Sequence, residues 1–449
     1  MPSLRPETSS RKHDPTLTTM NAMKPNHPLR RLAPRVLGGG ALAGCALASY
    51  TAHAGGLALY EIATPDVGLA SAGYAARADD ASTVFKNPAG MSRLDSAQFQ
   101  GGLQALYGSV SFTSDSNTSS RLGTDDGKNA LGWLPAGSLF LTVPLSERVA
   151  VGVGALSYFG LAEDYGDDWV GRYYVQKSAL LGMSVTPSVS YKANDWLSFG
   201  AGLNAMFGYL DAQMAVNNVI GPDGQMTLKD NTWGFGANVG VLIQASEQTR
   251  FGLTYLSPVK LDFEDTPSFS GLGPGLSLIL ANPPKLDLGL TVPQSVMASA
   301  YHALNDKWAV MGNFGWQDWS AFGYVQAGVE DGGVTTLNLE YQDTWHGAVG
   351  AQYRASEQWL LSGGVGFDSS SVDSAHRTVT LPMGQMWRFG LGAQYQLSES
   401  VELGLATTFA WGGDMPVDQG SDASLRGRVS GSYEDTWYVF TSLNLTWKF

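Results

Sequence analysis

The last strand-like run of the chain, YVFTSLNLTWKF (residues 438–449), constrains the fold most. Trp437, Val439, Leu443, Leu445, Trp447 and Phe449 recur at period two and fall on one face. A soluble edge strand so apolar would invite aggregation. The final strand of a closed barrel in lipid has the opposite need, an apolar outer face and no free edge.

Upstream, a small polar residue followed by an acid recurs at Ser146-Glu147, Asn194-Asp195, Ser246-Glu247, Asn305-Asp306, Ser356-Glu357 and Ser398-Glu399, at intervals of 42 to 59 residues. Asn and Ser at such points favour tight turns by bonding their own backbone. Around the turns the sequence alternates: Val149, Val151 and Val153 against Ala150, Gly152 and Gly154, then Trp308, Val310, Phe314 and Trp316, then Trp359, Leu361, Val365 and Phe367, then Trp387, Phe389, Leu391 and Tyr395. Six short turns separate seven long hairpins, which predicts fourteen strands, an even number with short turns at one end and long loops at the other. Trp196, Trp308 and Trp359 follow their turns closely, where an aromatic girdle belongs. A propeller needs about four strands per repeat, which these intervals could nearly hold; the apolar ending selects the barrel. The expected fold is therefore all-β, a transmembrane antiparallel β-barrel.

Composition agrees. Of 449 residues 55 are Gly, 11% are aromatic and only 15% are charged, which excludes a disordered chain. A net charge of −13 argues against nucleic acid as a partner. Beyond the leader no run of about 18 apolar residues offers a membrane helix. Residues 30–54 resemble a secretory signal, with Arg30, Arg31 and Arg35 before an apolar run and Ala52-His53-Ala54 as the cleavage site. Met20 or Met23 would give a leader of ordinary length, and Leu42-Ala43-Gly44-Cys45 offers a competing lipoprotein site. Cleavage after Ala54 removes Cys45, the single cysteine, and with it any thiol chemistry.

Residues 75–94, AARADDASTVFKNPAGMSRL, fit neither period. They are small and polar, poor in β-branched residues, and precede the strand series. The segment is either an ordinary N-terminal loop or a plug packed inside the barrel. Pro88 fixes one backbone angle and Gly90 permits conformations closed to other residues, so Asn87, Pro88, Ala89 and Gly90 make either a bend able to rearrange or a static turn.

At this point the sequence resembles the FadL/TodX family of outer-membrane transporters for long-chain fatty acids and other hydrophobic compounds. The resemblance rests on Ala78-Asp79-Asp80-Ala81-Ser82 and Asn87-Pro88-Ala89-Gly90, which are similar to the family's hatch motif. It also rests on residues 169–175 (WVGRYYV), 186–202 (TPSVSYKANDWLSFGAG) and 233–264 (WGFGANVGVLIQASEQTRFGLTYLSPVKLDFE), and more weakly on 305–309 and 359–381. It implies fourteen strands, an N-terminal hatch in the lumen (residues 55–94 after a leader over 1–54, with the barrel over 95–449), capture on outer loops, a luminal pocket, and a path leaving sideways through the wall. By that similarity Asn87, Pro88 and Ala89 lie near the exit.

The expected role is uptake of hydrophobic compounds, most simply long-chain fatty acids, with neutral hydrocarbons as the alternative and a structural or adhesive barrel as the alternative of another class. Leaving water favours such ligands by about 0.8 kcal/mol per CH₂, so a channel for them needs apolar stepping sites. Leu276, Leu278, Ile279 and Leu280 could line a first capture groove, or belong to a short helix packed on the mouth. A carboxylate would want a cation, and Arg172, Lys177, Arg377 and Arg388 are the candidates. Expected partners are hydrophobic small molecules, outer-membrane lipid and the barrel-insertion machinery, whose recognition signal the terminal Phe449 resembles. No cofactor, metal or catalytic group is expected: His302, His346 and His376 stand in no hydrolase motif, and Asp125-Asp126-Gly127 lacks the later ligands of a calcium loop.

Overall fold

The structure is a computed structural model that describes residues 60–329, 335–380 and 382–449; the leader and its cleavage sites lie outside them. Fourteen antiparallel strands form the wall: β1 Gln98–Ser109, β2 Gly132–Pro144, β3 Val149–Asp164, β4 Lys177–Asn194, β5 Leu197–Val216, β6 Gly224–Gln244, β7 Thr249–Leu256, β8 Ser295–Ala303, β9 Trp308–Gln317, β10 Thr344–Arg354, β11 Trp359–Asp368, β12 Met386–Gln396, β13 Val401–Gly420 and β14 Arg428–Lys448. Each pairs with the next, and β1 pairs with β14 from Gln98↔Lys448 to Ser109↔Trp437, so the sheet closes.

The tight turns lie at one end. Ser146 Oγ accepts from Val149 N at 3.1 Å, Asn305 Oδ1 from Trp308 N at 2.9 Å and Ser356 Oγ from Trp359 N at 3.1 Å. Outward residues are apolar and carry two aromatic belts. Near the turns Trp308 meets Tyr353 with ring centroids 4.5 Å apart, and Trp359 meets Tyr395 at 4.8 Å. At the far end Tyr107 meets Trp133 at 5.1 Å and Phe367 meets Trp387 at 4.9 Å. On β11 the belts are the strand's first and ninth residues, a span that fits the roughly 9–11 residues a tilted strand needs to cross a bilayer.

The inward face changes character along its length. On β5 it runs from Ser198 and Asn204 near the turns to Met206, Leu210 and Met214 near the loops, and on β1 from Gln98, Gln100 and Gln104 to Leu106. Over the apolar half lies a second antiparallel sheet of Val259–Asp265, Leu286–Val292, Tyr324–Val329 and Thr335–Asn338, built from the β7–β8 and β9–β10 connections. It begins in the YLSPVKLDFE run, where Pro258 follows the end of β7 and Val259, Leu261 and Phe263 turn inward. Its backbone presses on glycines of the wall: a Cβ at Gly234 would sit 2.4 Å from the Lys260 carbonyl oxygen. The sequence reading expected long loops there, not a sheet.

Residues 60–94 are almost wholly buried and bond to inward side chains around the ring. Gln104 on β1 donates to the Glu61 carbonyl at 2.8 Å, Ser188 on β4 to that of Val84 at 3.1 Å, Asn238 on β6 to that of Phe85 at 2.8 Å and Asn313 on β9 to that of Ser71 at 2.9 Å. Partners on so many wall strands place the segment in the lumen, in its polar half. Glycines let it approach: a Cβ would meet Ala63 O at 1.8 Å from Gly102, Ala75 O at 2.0 Å from Gly252 and Leu69 O at 2.0 Å from Gly364. Gly102→Val or Gly364→Val should therefore displace the segment without opening the wall. Hydrogen exchange should rise sharply over 60–94 while the β1–β14 ladder stays protected.

Candidate functional site

The luminal segment coils too tightly for regular structure. Ala63, Ala70, Ser71 and Ala78 hold φ of 56°, 47°, 70° and 45°, conformations that cost a non-glycine residue about 1–3 kcal/mol each and persist only when the surroundings enforce them. Its charges pair chiefly among themselves. Arg77 Nε lies 2.6 Å from Asp66 Oδ1, Arg77 also pairs with Asp80, and Lys86 pairs with Asp66. Burial alone would raise the Asp80 carboxyl, but the Arg77 and Lys86 cations and hydrogen bonds from Ser82 and Arg77 outweigh it and hold the group far below its ordinary value. Burial lowers Arg77, and the carboxylates of Asp66, Asp80 and Asp79 more than reverse that, raising it well above its usual range.

Two cations of the wall grip the segment. Arg250 on β7 donates to Ala76 O at 2.7 Å and pairs with Asp79 Oδ1 at 2.7 Å. Arg388 on β12 pairs with Glu61 Oε1 at 2.6 Å and with Asp368 Oδ2 at 2.6 Å, and His346 on β10 lies 2.7 Å from the other oxygen of Asp368. Arg388 follows Trp387 of the outer belt, so this second anchor holds the start of the described segment at the far end of the barrel.

Asn87, Pro88, Ala89 and Gly90 are fully buried where Thr83–Lys86, a single helical turn, meets the 3-10 helix Pro88–Arg93. Asn87 Nδ2 donates to Ala75 O at 2.7 Å and Val241 O at 3.1 Å, while its Oδ1 accepts from Ala89 N at 3.1 Å. A Cβ at Gly200 would lie 2.1 Å from Ala89 N, so the turn sits directly on β5. Gly90 is required by space, not by a left-handed backbone: its Cβ would meet Thr83 Oγ1 at 2.1 Å.

The other candidates are scattered. Leu276, Leu278 and Ile279 lie in a short helix, Pro274–Ile279, with Leu280 as its cap. Leu276 and Leu280 are half-buried, whereas Leu278 and Ile279 point to solvent. Arg172 is held by Asp223 at 2.9 Å and Lys177 lies 3.6 Å from Asp164. Arg388 is taken by two carboxylates. Arg377 is buried on the carbonyls of Met383 at 2.6 Å and Pro416 at 2.9 Å, with no carboxylate in salt-bridge range among the described residues; burial lowers its guanidinium, with Asp373 opposing. It borders a cavity of about 580 Å³ also lined by Trp387 and Trp411, whose side chains face outward, so the cavity opens on the outside of the wall. The four cations do not converge.

The wall is broken between β2 and β3. β2 and β3 pair only from Ser138↔Leu156 to Pro144↔Ala150, so beyond that point 132–137 and 157–163 have no ladder partner across the gap, which closes again where Asp164 N donates to Ala130 O at 2.8 Å. Pro135 in β2 has no N–H to give, and the β3–β4 register slips between Ser157 and Phe159. Sequence reasoning passed over this feature; Pro135 inside an alternating run was the available signal.

A closed, even-stranded wall with two aromatic belts defines an integral outer-membrane β-barrel. The chain belongs to the family described as outer membrane protein transport protein (OMPP1/FadL/TodX), whose profile matches residues 45–449. It is 27% identical over 410 residues to the long-chain fatty acid transport protein of Escherichia coli O6:H1, covering 84% of this chain and 88% of that one. It is 29% identical over 384 residues to outer membrane protein P1 of Haemophilus influenzae, covering 75% and 81%. In fold it is similar to a Pseudomonas aeruginosa FadL homologue (TM-score 0.79, 21% identity, 88% of this chain and 100% of that one) and to the toluene transporter TodX of Pseudomonas putida (TM-score 0.63, 18%, 86% and 99%).

Because the folded state lowers the Asp80 carboxyl, the network in the segment stabilises at every pH above the ordinary carboxylate value of 3.8 and is lost as pH falls through and below it. Protection of 60–94 against hydrogen exchange should hold from neutral pH down to that value and fall progressively below it while the wall stays protected. Arg77→Met, which strands buried carboxylates, should cost about 3–5 kcal/mol locally and reproduce that loss at pH 7.

Proposed function

We propose that the chain takes up hydrophobic compounds across the outer membrane, long-chain fatty acids first among them, and that residues 60–94 act as the hatch that gates their passage. The observation that carries this reading is a continuous apolar core. It runs from Leu261, Phe263 and Leu288 of the second sheet through Leu156, Leu180, Met206 and Leu210 of the wall to Val84, Phe85 and Met91 of the segment. A water-filled pore has no use for such a lining, whereas a hydrophobic ligand is stabilised at each step. The fatty-acid transport proteins among the relatives support the substrate class.

In this reading Leu278 and Ile279, with the exposed Val219 and Ile220 on the neighbouring loop, make first contact. Ligand then enters the apolar half beneath the second sheet. Displacement of Asn87, Pro88, Ala89 and Gly90 opens the way on, and the break between β2 and β3 lets the ligand leave sideways. Lipid around the belts and the insertion machinery that reads the terminal Phe449 are the remaining partners. Neutral aromatic hydrocarbons are a second reading. It is favoured by the four cations failing to converge on one luminal point and by the fold shared with TodX.

Uptake of labelled oleate and labelled toluene by cells lacking their own transporter separates the readings. A gain in oleate uptake supports the first, a gain in toluene alone the second, and no gain with a folded barrel removes both. Gating has its own test. Ser92 Oγ in the segment lies 2.8 Å from Ser198 Oγ on β5, so Ser92→Cys with Ser198→Cys should form a disulfide. Oxidised cells should take up ligand no faster than cells without the protein, and a reductant should restore the rate. Uptake indifferent to oxidation would mean that the segment does not move.

A further inference from the structure

At the break between β2 and β3 stands one ionisable group that the uptake reading leaves unused. Glu163, next to last in β3, is 3% exposed and faces inward, opposite Ser178 of β4. It borders a cavity lined by Leu106, Leu131, Leu161, Met383, Met386 and Phe440. Among the described residues its Oε2 has no hydrogen-bond partner and no cation lies within salt-bridge range. Its Oε1 is 3.4 Å from the Tyr165 hydroxyl, whose single proton is shared with the Val379 carbonyl at 3.2 Å and the Tyr433 hydroxyl at 2.9 Å. The other titratable groups nearby do not offset it. Tyr438 of β14 lines the same cavity. At the rim, Lys128 and Lys177 reach Asp164 instead, at 3.1 and 3.6 Å. Arg388 is engaged by Glu61 and Asp368.

An uncompensated carboxyl in apolar surroundings is costly and contributes nothing to packing that Gln or Leu would not. Its chemistry, however, bears on what crosses the break. Ionised, it repels an anionic head group, with a charge that Gln in its place would not carry. A neutral head group meets no such obstacle, and either oxygen of Glu163 can accept a hydrogen bond from a hydroxyl. The cavity is only about 20 Å³ in this closed arrangement, room for roughly one water molecule, but Met383 and Met386 are unbranched side chains that repack readily.

Resting on the uptake reading above, we propose that Glu163 selects the charge of the ligands that cross the break between β2 and β3, passing neutral head groups and turning back anionic ones. A hydrocarbon or an alcohol crosses unchanged. A fatty acid crosses as the uncharged acid, its carboxylate taking a proton from water before it enters and returning one after it leaves. The transported class is thus set by charge at this point more than by chain shape.

Decanol and decanesulfonate, an anion at every accessible pH, are suitable probes in cells lacking their own transporter. The wild-type protein should pass decanol about tenfold faster than the sulfonate, a ratio of the size expected where like charges meet in a desolvated site. Glu163→Gln should speed the sulfonate several-fold while leaving decanol within about twofold, and Glu163→Asp should restore the bias. Heat-modifiable gel mobility confirms that each barrel is folded. An unchanged ratio in Glu163→Gln, or parallel changes for both probes, would overturn the proposal and leave the uptake reading standing. Failure of the wild-type protein to pass either probe would overturn both.

Discussion

In hydrocarbon no water is present to pair a stray N–H or carbonyl, so a strand exposed to lipid must find its partners in other strands. The twelve-pair ladder between β1 and β14 meets that demand and dictates much of the rest. Closure puts both ends of the wall at the turn side. Residues 60–94, which precede β1, therefore leave the lumen on that side, and they run to it from the far end, where Glu61 is held by Arg388. It also makes the β2–β3 break conspicuous. Pro135 removes a donor from β2 and the slip at Ser157 and Phe159 bends β3, so the chain withholds pairing between two consecutive strands whose neighbours on either side remain laced to them.

The same inward face serves two purposes. Serines, asparagines and glutamines near the turns hold the luminal segment through its backbone, where an unpaired carbonyl would otherwise be costly. Methionines, leucines and phenylalanines near the loops offer nothing polar. The segment brings its own counter-charges: Asp66, Asp80, Arg77 and Lys86 neutralise one another inside it. Moving it as a body would leave those pairs intact and break only its ties to the wall, chiefly Glu61 to Arg388, Asp79 to Arg250 and the backbone bonds to Asn313 and Asn238. Its fixed charges thus divide into pairs that travel together and pairs that must part.

What could be read from the sequence follows the same physics. Turns announce themselves through Ser146, Asn305 and Ser356, because those side chains bond residues two or three positions on. Lipid-facing alternation is equally local, and the run around Asn87 and Pro88 stood out because it obeyed neither period. Properties that depend on distant partners were hidden. Arg388 reads as a free cation until Glu61, 327 positions away, is seen on it. The connections after β7 and β9 read as loops although Val259, Leu261 and Phe263, and then Leu286, Leu288, Leu290 and Val292, alternate at period two, because their pairing with each other instead of with the wall is a long-range property. Gly90 was credited with an unusual backbone when its need is for space beside Thr83.

The pairing of cations also bears on how such a barrel can tell ligands apart. An apolar chamber discriminates weakly, since one methylene more or less is worth only about 1–3 kcal/mol in a fitted pocket, and a chamber that must repack is less exacting still. Discrimination by head group therefore falls to the few charged side chains along the path. Arg172 and Lys177 are held by aspartates at the rim, Arg377 faces a cavity outside the wall, and Arg388 already carries two carboxylates. A ligand carboxylate gains a partner at Arg388 only by displacing Glu61, which is also one of the bonds that fix the start of the luminal segment. Binding of an acid and release of that segment would then be one exchange, in which a carboxylate of the chain leaves the guanidinium as that of the ligand arrives. A neutral hydrocarbon, having no carboxylate to offer, would have to loosen the segment through the apolar contacts of Val84, Phe85 and Met91 instead.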